Sequence, residues 1–144
     1  MSQEEIKSVL ESLRTVAVVG LSRNPAKASH QVAKYLMSVG YHIIPVNPFV
    51  DEVLGEKSYK CILDVPETID VVDVFRPSTD VPAIVEDAIQ LKNKVGPPKV
   101  IWMQLGIVNE EAARRAKESG FTVVMDKCMR IEHKHLIIND VLER

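Results

Sequence analysis

The residues with the most chemical potential stand together between Gly20 and Ser29, in the run GLSRNPAKAS. Ser22, Arg23, Asn24, Lys27, Ser29 and the neighbouring His30 supply hydroxyls, an amide and two fixed cations, a donor set suited to a multiply charged phosphate ester. Just before them, Thr15 to Val19 is β-branched and apolar on both faces, the pattern of a covered parallel strand, and Gly20 ends it. Helical spacing begins at about Ala28. A strand, a glycine turn and a helix N-terminus in succession aim free backbone N–H groups and the positive end of a helix dipole at one volume, which makes an anion site. Glycine also follows apolar strands in doubly wound proteins that bind no phosphate, and a solvated loop can share this composition, so the motif alone leaves both readings open.

Positioning such a loop requires a sheet, and the chain supplies one. Ser2 with Glu5 is a capping-box pattern, followed by Ile6, Val9, Leu10 and Leu13 at helical spacing. After the loop, Val32, Ala33, Leu36 and Met37 keep the helical period, and Gly40 stands at the C′ position. Tyr41 to Val46 is the second strand, with Pro45 expected near its end or at a bulge because it donates no ladder hydrogen bond. From Phe49 to Ile69 the periodicity fails, apart from a short helical turn expected at Pro66 to Ile69. Asp70 to Phe75 is the third strand, and Arg76 to Thr79 open a helix with Val81, Ile84, Val85 and Ala88 on one face and Pro82 in its first turn. Val100 to Leu105 is the fourth strand, with Trp102 assigned to the core, and Gly106 closes it. Asn109 is an N-cap, Gly120 a terminator and Phe121 to Met125 the fifth strand, after which Leu136, Ile137 and Val141 suggest a final helix.

This alternation predicts one α/β domain over residues 1–144, a Rossmann-like, doubly wound sheet of five parallel strands in the order 3-2-1-4-5 with helices on both faces. In that order the topological switch lies between strands 1 and 4, and the loops meeting there are Leu21 to Ser29, Asn47 to Val50, Arg76 to Thr79, Gln104 to Asn109 and Asp126 to Arg130.

Composition narrows the function. With 46% hydrophobic and 26% charged residues the chain reads as a soluble globular domain, and the absence of a leader pattern or spanning apolar run makes the cytosol the expected compartment, away from membranes. A net charge of −2 with scattered cations argues against nucleic acid. Cys61 and Cys128 form no CxxC or zinc pattern and read as free thiols; His133 and His135, two apart, would diverge on a helix, so no metal site is expected.

A nicotinamide dinucleotide asks for three glycines after strand 1 and an acid closing strand 2. Here Leu21, Ser22 and Arg23 follow a lone Gly20, and Asn47 and Pro48 stand where the acid should be. Arg23, Lys27 and Lys57 could instead compensate an extra phosphate on the ribose, which leaves NADP or coenzyme A (CoA).

GLSRNPAKAS, the PVNP of Pro45 to Pro48, the LGEKSY of Leu54 to Tyr59, the DVPETIDVVDVFRPS of Asp64 to Ser78 and the QLGIVNEEA of Gln104 to Ala112 together resemble the CoA-binding proteins related to the N-terminal domain of the succinyl-CoA synthetase α subunit. The resemblance spans roughly Leu13 to Leu136. It implies a domain that holds CoA at the carboxyl edge of the sheet. Carried onto this chain, Gly20, Leu21, Ser22, Arg23 and Asn24 would take the phosphates by backbone N–H groups, with Ser22, Arg23 and Lys27 adding side-chain bonds and Ser29 in the same loop. Val46, Asn47 and Pro48 would line the adenine slot. Phe75, Arg76 and Ser78 would bound the adenosine or the start of the pantetheine arm, and Met103, Gln104 and Gly106 would guide that arm; Phe75 and Met103 can equally be core.

The sequence departs from the synthetase in ending after the nucleotide-binding domain, with no segment matching the phosphohistidine or ATP-grasp parts, and no nucleophile with a base and an orienter is readable. The expected role is therefore a non-catalytic CoA or acyl-CoA binding module, with an NADP-dependent oxidoreductase or redox sensor in the same crevice as the alternative. A receiver domain would need carboxylates at the end of strand 1, where Val18, Val19, Gly20 and Leu21 offer none. Cys128, beside the cations Lys127 and Arg130, could face the thiol end of the cofactor. A homodimer is the expected assembly, although Met129, Ile131 and Ile138 could equally be monomer core.

Overall fold

Four parallel ladders built on apolar, β-branched runs organise the computed structural model, which describes residues 1–143. The sheet strands are β1 (Thr15–Val19), β2 (His42–Val46), β5 (Val71–Val74), β6 (Val100–Met103) and β7 (Thr122–Val124), and a two-stranded hairpin, β3 (Glu52–Val53) with β4 (Glu56–Lys57), lies apart. Every residue of β5 and β6 is buried, as expected of strands covered on both faces. On one face, helices α3 (Val81–Val95) and α4 (Glu110–Glu118) pack against Ala17, Val19, Val72, Val74 and Ile101. On the other, α1 (Gln3–Ser12), α2 (Ala28–Ser38) and α5 (Met129–His133) cover Val16, Val18, Ile43, Val71 and the fully buried Trp102. The α5 axis continues through a wide turn at Lys134–Ile138 into α6 (Asn139–Glu143). Among the described residues no helix is long and apolar enough to cross a membrane.

The strand order corrects the expectation. Counting only the parallel strands it is 2-1-3-4-5, not 3-2-1-4-5: β5 pairs with β1, Val16 facing Val71 and Val19 facing Val74, on the side of β1 away from β2. Two local features enforce this. Pro45, one residue from the end of β2 and without a bulge, turns its carbonyl outward to accept from the Tyr59 N–H at 3.1 Å, so the position with no N–H faces the sheet's rim. Proline is tolerated there because an edge strand needs no donor on its outer side. At the other end Asp70 accepts from the N–H groups of Arg14 (3.0 Å) and Thr15 (2.9 Å), fixing the start of β5 beside the start of β1. The topological switch accordingly lies between β1 and β5 rather than between the first and fourth strands.

Several local signals act as their residues predict. Ser2 and Glu5 cap α1 reciprocally, Asn109 accepts from the Ala112 N–H at 2.9 Å, and Gly40 follows α2 at a φ of 101°. The irregular stretch after β2 holds the hairpin, turned at Leu54 and Gly55 with φ of 53° and 78°, and its helical turn comes at Ile62–Asp64, ahead of the expected place. Met129 is fully buried, whereas Ile131 and Ile138 are exposed.

Candidate functional site

At the carboxyl ends of β1 and β5 the backbones touch. Gly20 has a φ of 90°, and a Cβ built on it would stand 2.7 Å from the Phe75 carbonyl oxygen and 3.0 Å from Arg76 Cδ. Only glycine fits both the conformation and the space. Its N–H donates to the Val46 carbonyl at 2.9 Å, so the loop leaves the sheet from a fixed point.

The loop beyond is held largely by itself. Ser29 Oγ, buried in the first turn of α2, accepts from the Ser22 N–H at 2.9 Å; Ser22 Oγ accepts from the Asn24 N–H at 3.0 Å; and Asn24 Oδ1 accepts from the Ala26 N–H at 3.0 Å. His30 Nδ1 meets the Ser22 carbonyl at 2.9 Å, which assigns the proton to that nitrogen. Of the five loop N–H groups expected to face phosphates, those of Gly20, Ser22 and Asn24 thus have partners inside the protein, and those of Leu21 and Arg23 have none among the described residues. The N-cap of α2, Lys27, makes no side-chain cap bond, which leaves the first-turn N–H groups of that helix open for an external anion.

Next to the loop lies a cavity of about 510 Å3, within the usual range of small-molecule sites, on the α3 side of the sheet's carboxyl edge. Gly20, Ser22, Val46, Asn47, Pro48 and Arg76 line it, six of the residues expected to contact a ligand. Asn47 ties the parts together: its Nδ2 donates to the Leu21 carbonyl at 3.0 Å and its Oδ1 accepts from the Phe49 N–H at 2.9 Å. Arg76 reaches Asp80 Oδ2 through both Nε (3.2 Å) and Nη2 (2.8 Å), so its guanidinium is partly compensated. Lys60 lines the same cavity with no acid partner among the described residues. Burial pushes the Asp87 carboxyl up from its ordinary range on the opposite wall.

The remaining expected residues are placed elsewhere. Arg23, Asn24 and Lys27 are exposed on the loop without lining the cavity. The side chains of Leu21 and Met103 are fully buried in the core, as is that of Trp102, whose Nε1 donates to the Lys127 carbonyl at 2.8 Å. Ser78 braces another junction, accepting from the Val108 N–H on Oγ and from Asn109 Nδ2 on its carbonyl, each at 3.0 Å. The Gly106 N–H donates to Asp126 Oδ1 at 2.6 Å. Lys57, a candidate cation for a ribose phosphate, lies over the Tyr59 ring at 5.2 Å on the hairpin and does not line the cavity.

Phe49, within the loop expected at this edge, also lines the cavity and is 88% exposed; sequence reasoning passed over Lys60 and Cys61 as lining residues, which the Val46–Tyr59 bridge brings to the end of β2. It also passed over Asp73. This carboxylate is fully buried in the central strand, Oδ1 accepts from Gln104 Nε2 at 2.7 Å, Oδ2 has no partner among the described residues, and desolvation pushes its pKa up to about 7 against the lowering effect of that hydrogen bond. Gln104 Oε1 in turn accepts from the Met129 N–H at 3.4 Å, linking the carboxylate to the start of α5. A charged residue inside the apolar run VVDVF was the available signal.

Comparison with known proteins agrees with this architecture. A protein of Bacillus subtilis named uncharacterized protein YneT is 42% identical over 132 residues, covering 92% of this chain and 94% of its own. A solved structure described as a hypothetical protein from Pyrococcus horikoshii superposes with a TM-score of 0.89 at 38% identity, over 95% of this chain and 93% of that one. An ADP-forming acetate–CoA ligase of Methanocaldococcus jannaschii is 28% identical over 133 residues, 88% of this chain but 18% of the ligase. Residues 14–134 match the family described as the CoA binding domain, a match that takes in all five parallel strands and the glycine loop, and the chain belongs to that family.

Proposed function

We propose that this chain is a CoA or acyl-CoA binding module whose nucleotide site is the cavity at the carboxyl ends of β1 and β2. The observation that carries the reading is that this cavity opens beside the Gly20 loop at the topological switch, where the loop and the start of α2 keep unpartnered backbone N–H groups, in a member of the CoA binding domain family. In this reading the N–H groups of Leu21, Arg23 and the first turn of α2 donate to diphosphate oxygens, with Arg23 and Lys27 adding charge from solvent. Val46 and Pro48 hold the flat sides of the adenine, and Phe49 closes over it from the exposed rim. Lys60 meets the phosphate on the ribose, a role that needs a cation not already claimed by an acid. CoA supplies a thiol on a flexible arm, and in this reading the residues described here bind and orient it.

The test is mass spectrometry of any small molecule that the purified protein releases on denaturation, followed by titration of the emptied protein with CoA and with NADP. Release or tight rebinding of CoA or an acyl-CoA is expected. Preference for NADP would move the same cavity to the redox reading, and binding of neither would overturn both.

A further inference from the structure

Among the described residues two carboxylates line the cavity beside the Gly20 loop, Asp80 and Asp87. Arg76 holds Asp80 through two hydrogen bonds, whereas Asp87 has no hydrogen-bond or ion-pair partner among the described residues, Lys60 across the cavity included. The surroundings make that omission costly. Asp87 is half-buried on α3, one turn beyond Ala83 and beside Ile84, and Ile62 lines the same cavity. Desolvation without a compensating cation raises its pKa. A group that donated a hydrogen bond to this carboxyl would recover part of that cost.

Position along the helix says which part of a ligand can do so. Because β5 and β6 are parallel, α3 runs back from the carboxyl edge of the sheet, and its rise carries Asp87 roughly 10 Å beyond the N-cap Asp80. The unpartnered loop N–H groups and Arg76 stay at that edge, and there the phosphates belong. A phosphate brought to Asp87 would meet a like charge. What reaches Asp87 is therefore an uncharged part of the ligand that carries a donor.

We propose that Asp87 reads the adenine base of CoA, its carboxyl oxygen accepting from the exocyclic amine, and that this contact sets the preference of the cavity for adenine. The inference rests on the CoA reading above. Adenine joined to a ribose has no hydrogen-bond donor other than that amine. With Val46 and Pro48 on the flat sides of the base, its amine-bearing edge faces α3 on the opposite wall, and Ile62 and Ile84 keep water from the contact. A hydrogen bond to a carboxylate shielded in this way is strong and directional.

The test is titration of the emptied protein with CoA and with etheno-CoA, whose bridge across the base removes both protons of the amine. The wild type is expected to prefer CoA about tenfold, the loss that follows when a buried polar group is left unpaired. Asp87→Ala should bind the two ligands alike, at the weaker affinity. Asp87→Asn, which keeps an acceptor oxygen in the same place, should retain the preference. Equal binding of both ligands by the wild type, or an undiminished preference in Asp87→Ala, would overturn the assignment and leave CoA binding intact. A wild type that bound neither would overturn the CoA reading itself.

Discussion

The two faces of the sheet are built on different chemistry. Under α3 and α4 the buried cluster is aliphatic with Met103 and Phe121, whereas under α2 and α5 the buried set includes Ser29, Asp73, Gln104 and His133. The dry face holds its helices to the sheet chiefly by buried apolar area. The polar face instead pins α5 through the chain Asp73–Gln104–Met129, and that chain makes stability depend on pH.

The largest effect should come from breaking that chain. The folded pKa of Asp73, about 7, lies above the ordinary carboxylate value, so the native state binds the proton more tightly than the unfolded chain. Its contribution is fully present below pH ~4 and is lost as pH rises through about 7, a change on the order of 4 kcal/mol. Urea unfolding between pH 4.5 and 8 should show this decline in the wild type and not in Asp73→Asn. Equal slopes in the two proteins would mean that the carboxylate is not desolvated as the geometry implies.

Next in size is the junction where the faces meet. Gly20→Ala places a methyl against the Phe75 carbonyl at a backbone angle that L-residues avoid, and should cost about 1–3 kcal/mol. Because the loop leaves the sheet from this residue, CoA affinity should fall with it. Gly106→Ala, also at positive φ but with no atom within 4 Å of the new Cβ, separates the two causes. Similar losses in both variants would assign the effect to the dihedral angle rather than to the contact between β1 and β5.

On the dry face the sharper probe is Lys60. If it meets the phosphate on the ribose, Lys60→Ala should weaken CoA about tenfold, roughly 1.4 kcal/mol, and leave dephospho-CoA unchanged. Equal weakening of both would place the lysine elsewhere along the ligand.

What could be read from residues alone follows the same division. Periodicity located the five strands and the helices because each buries a regular apolar face, and Gly20, Ser22, Asn47 and Arg76 stand at strand ends, where a ligand must meet an α/β sheet. Strand order was misread although Pro45 carried the information: a missing donor marks an edge, and the expected order made that strand interior. Lys60 and Cys61 were hidden because the hairpin turn at Leu54 and Gly55 lacks the usual Asn-Gly signature, so nothing local announced that the chain folds back to β2. Asp73 was hidden by its neighbours, since a strand with one carboxylate among valines still scores as apolar.

The smallest expected effect lies on the polar face and runs in the opposite sense. His133, buried beneath Tyr35 and Tyr41, has its Nδ1 2.7 Å from the Tyr35 hydroxyl, and desolvation holds its pKa below the ordinary histidine value. A base depressed in the folded state gives stability that is present above the unfolded pKa, near 6.5, and lost as pH falls toward the folded value. In the wild type the stronger dependence of Asp73 masks it, because acidification through the same window stabilises that site. Removing the larger slope with Asp73→Asn should expose the smaller one, as a decline in stability below about pH 6.5 that disappears in Asp73→Asn combined with His133→Phe. A double variant that still declined there would show that His133 is not the group responsible.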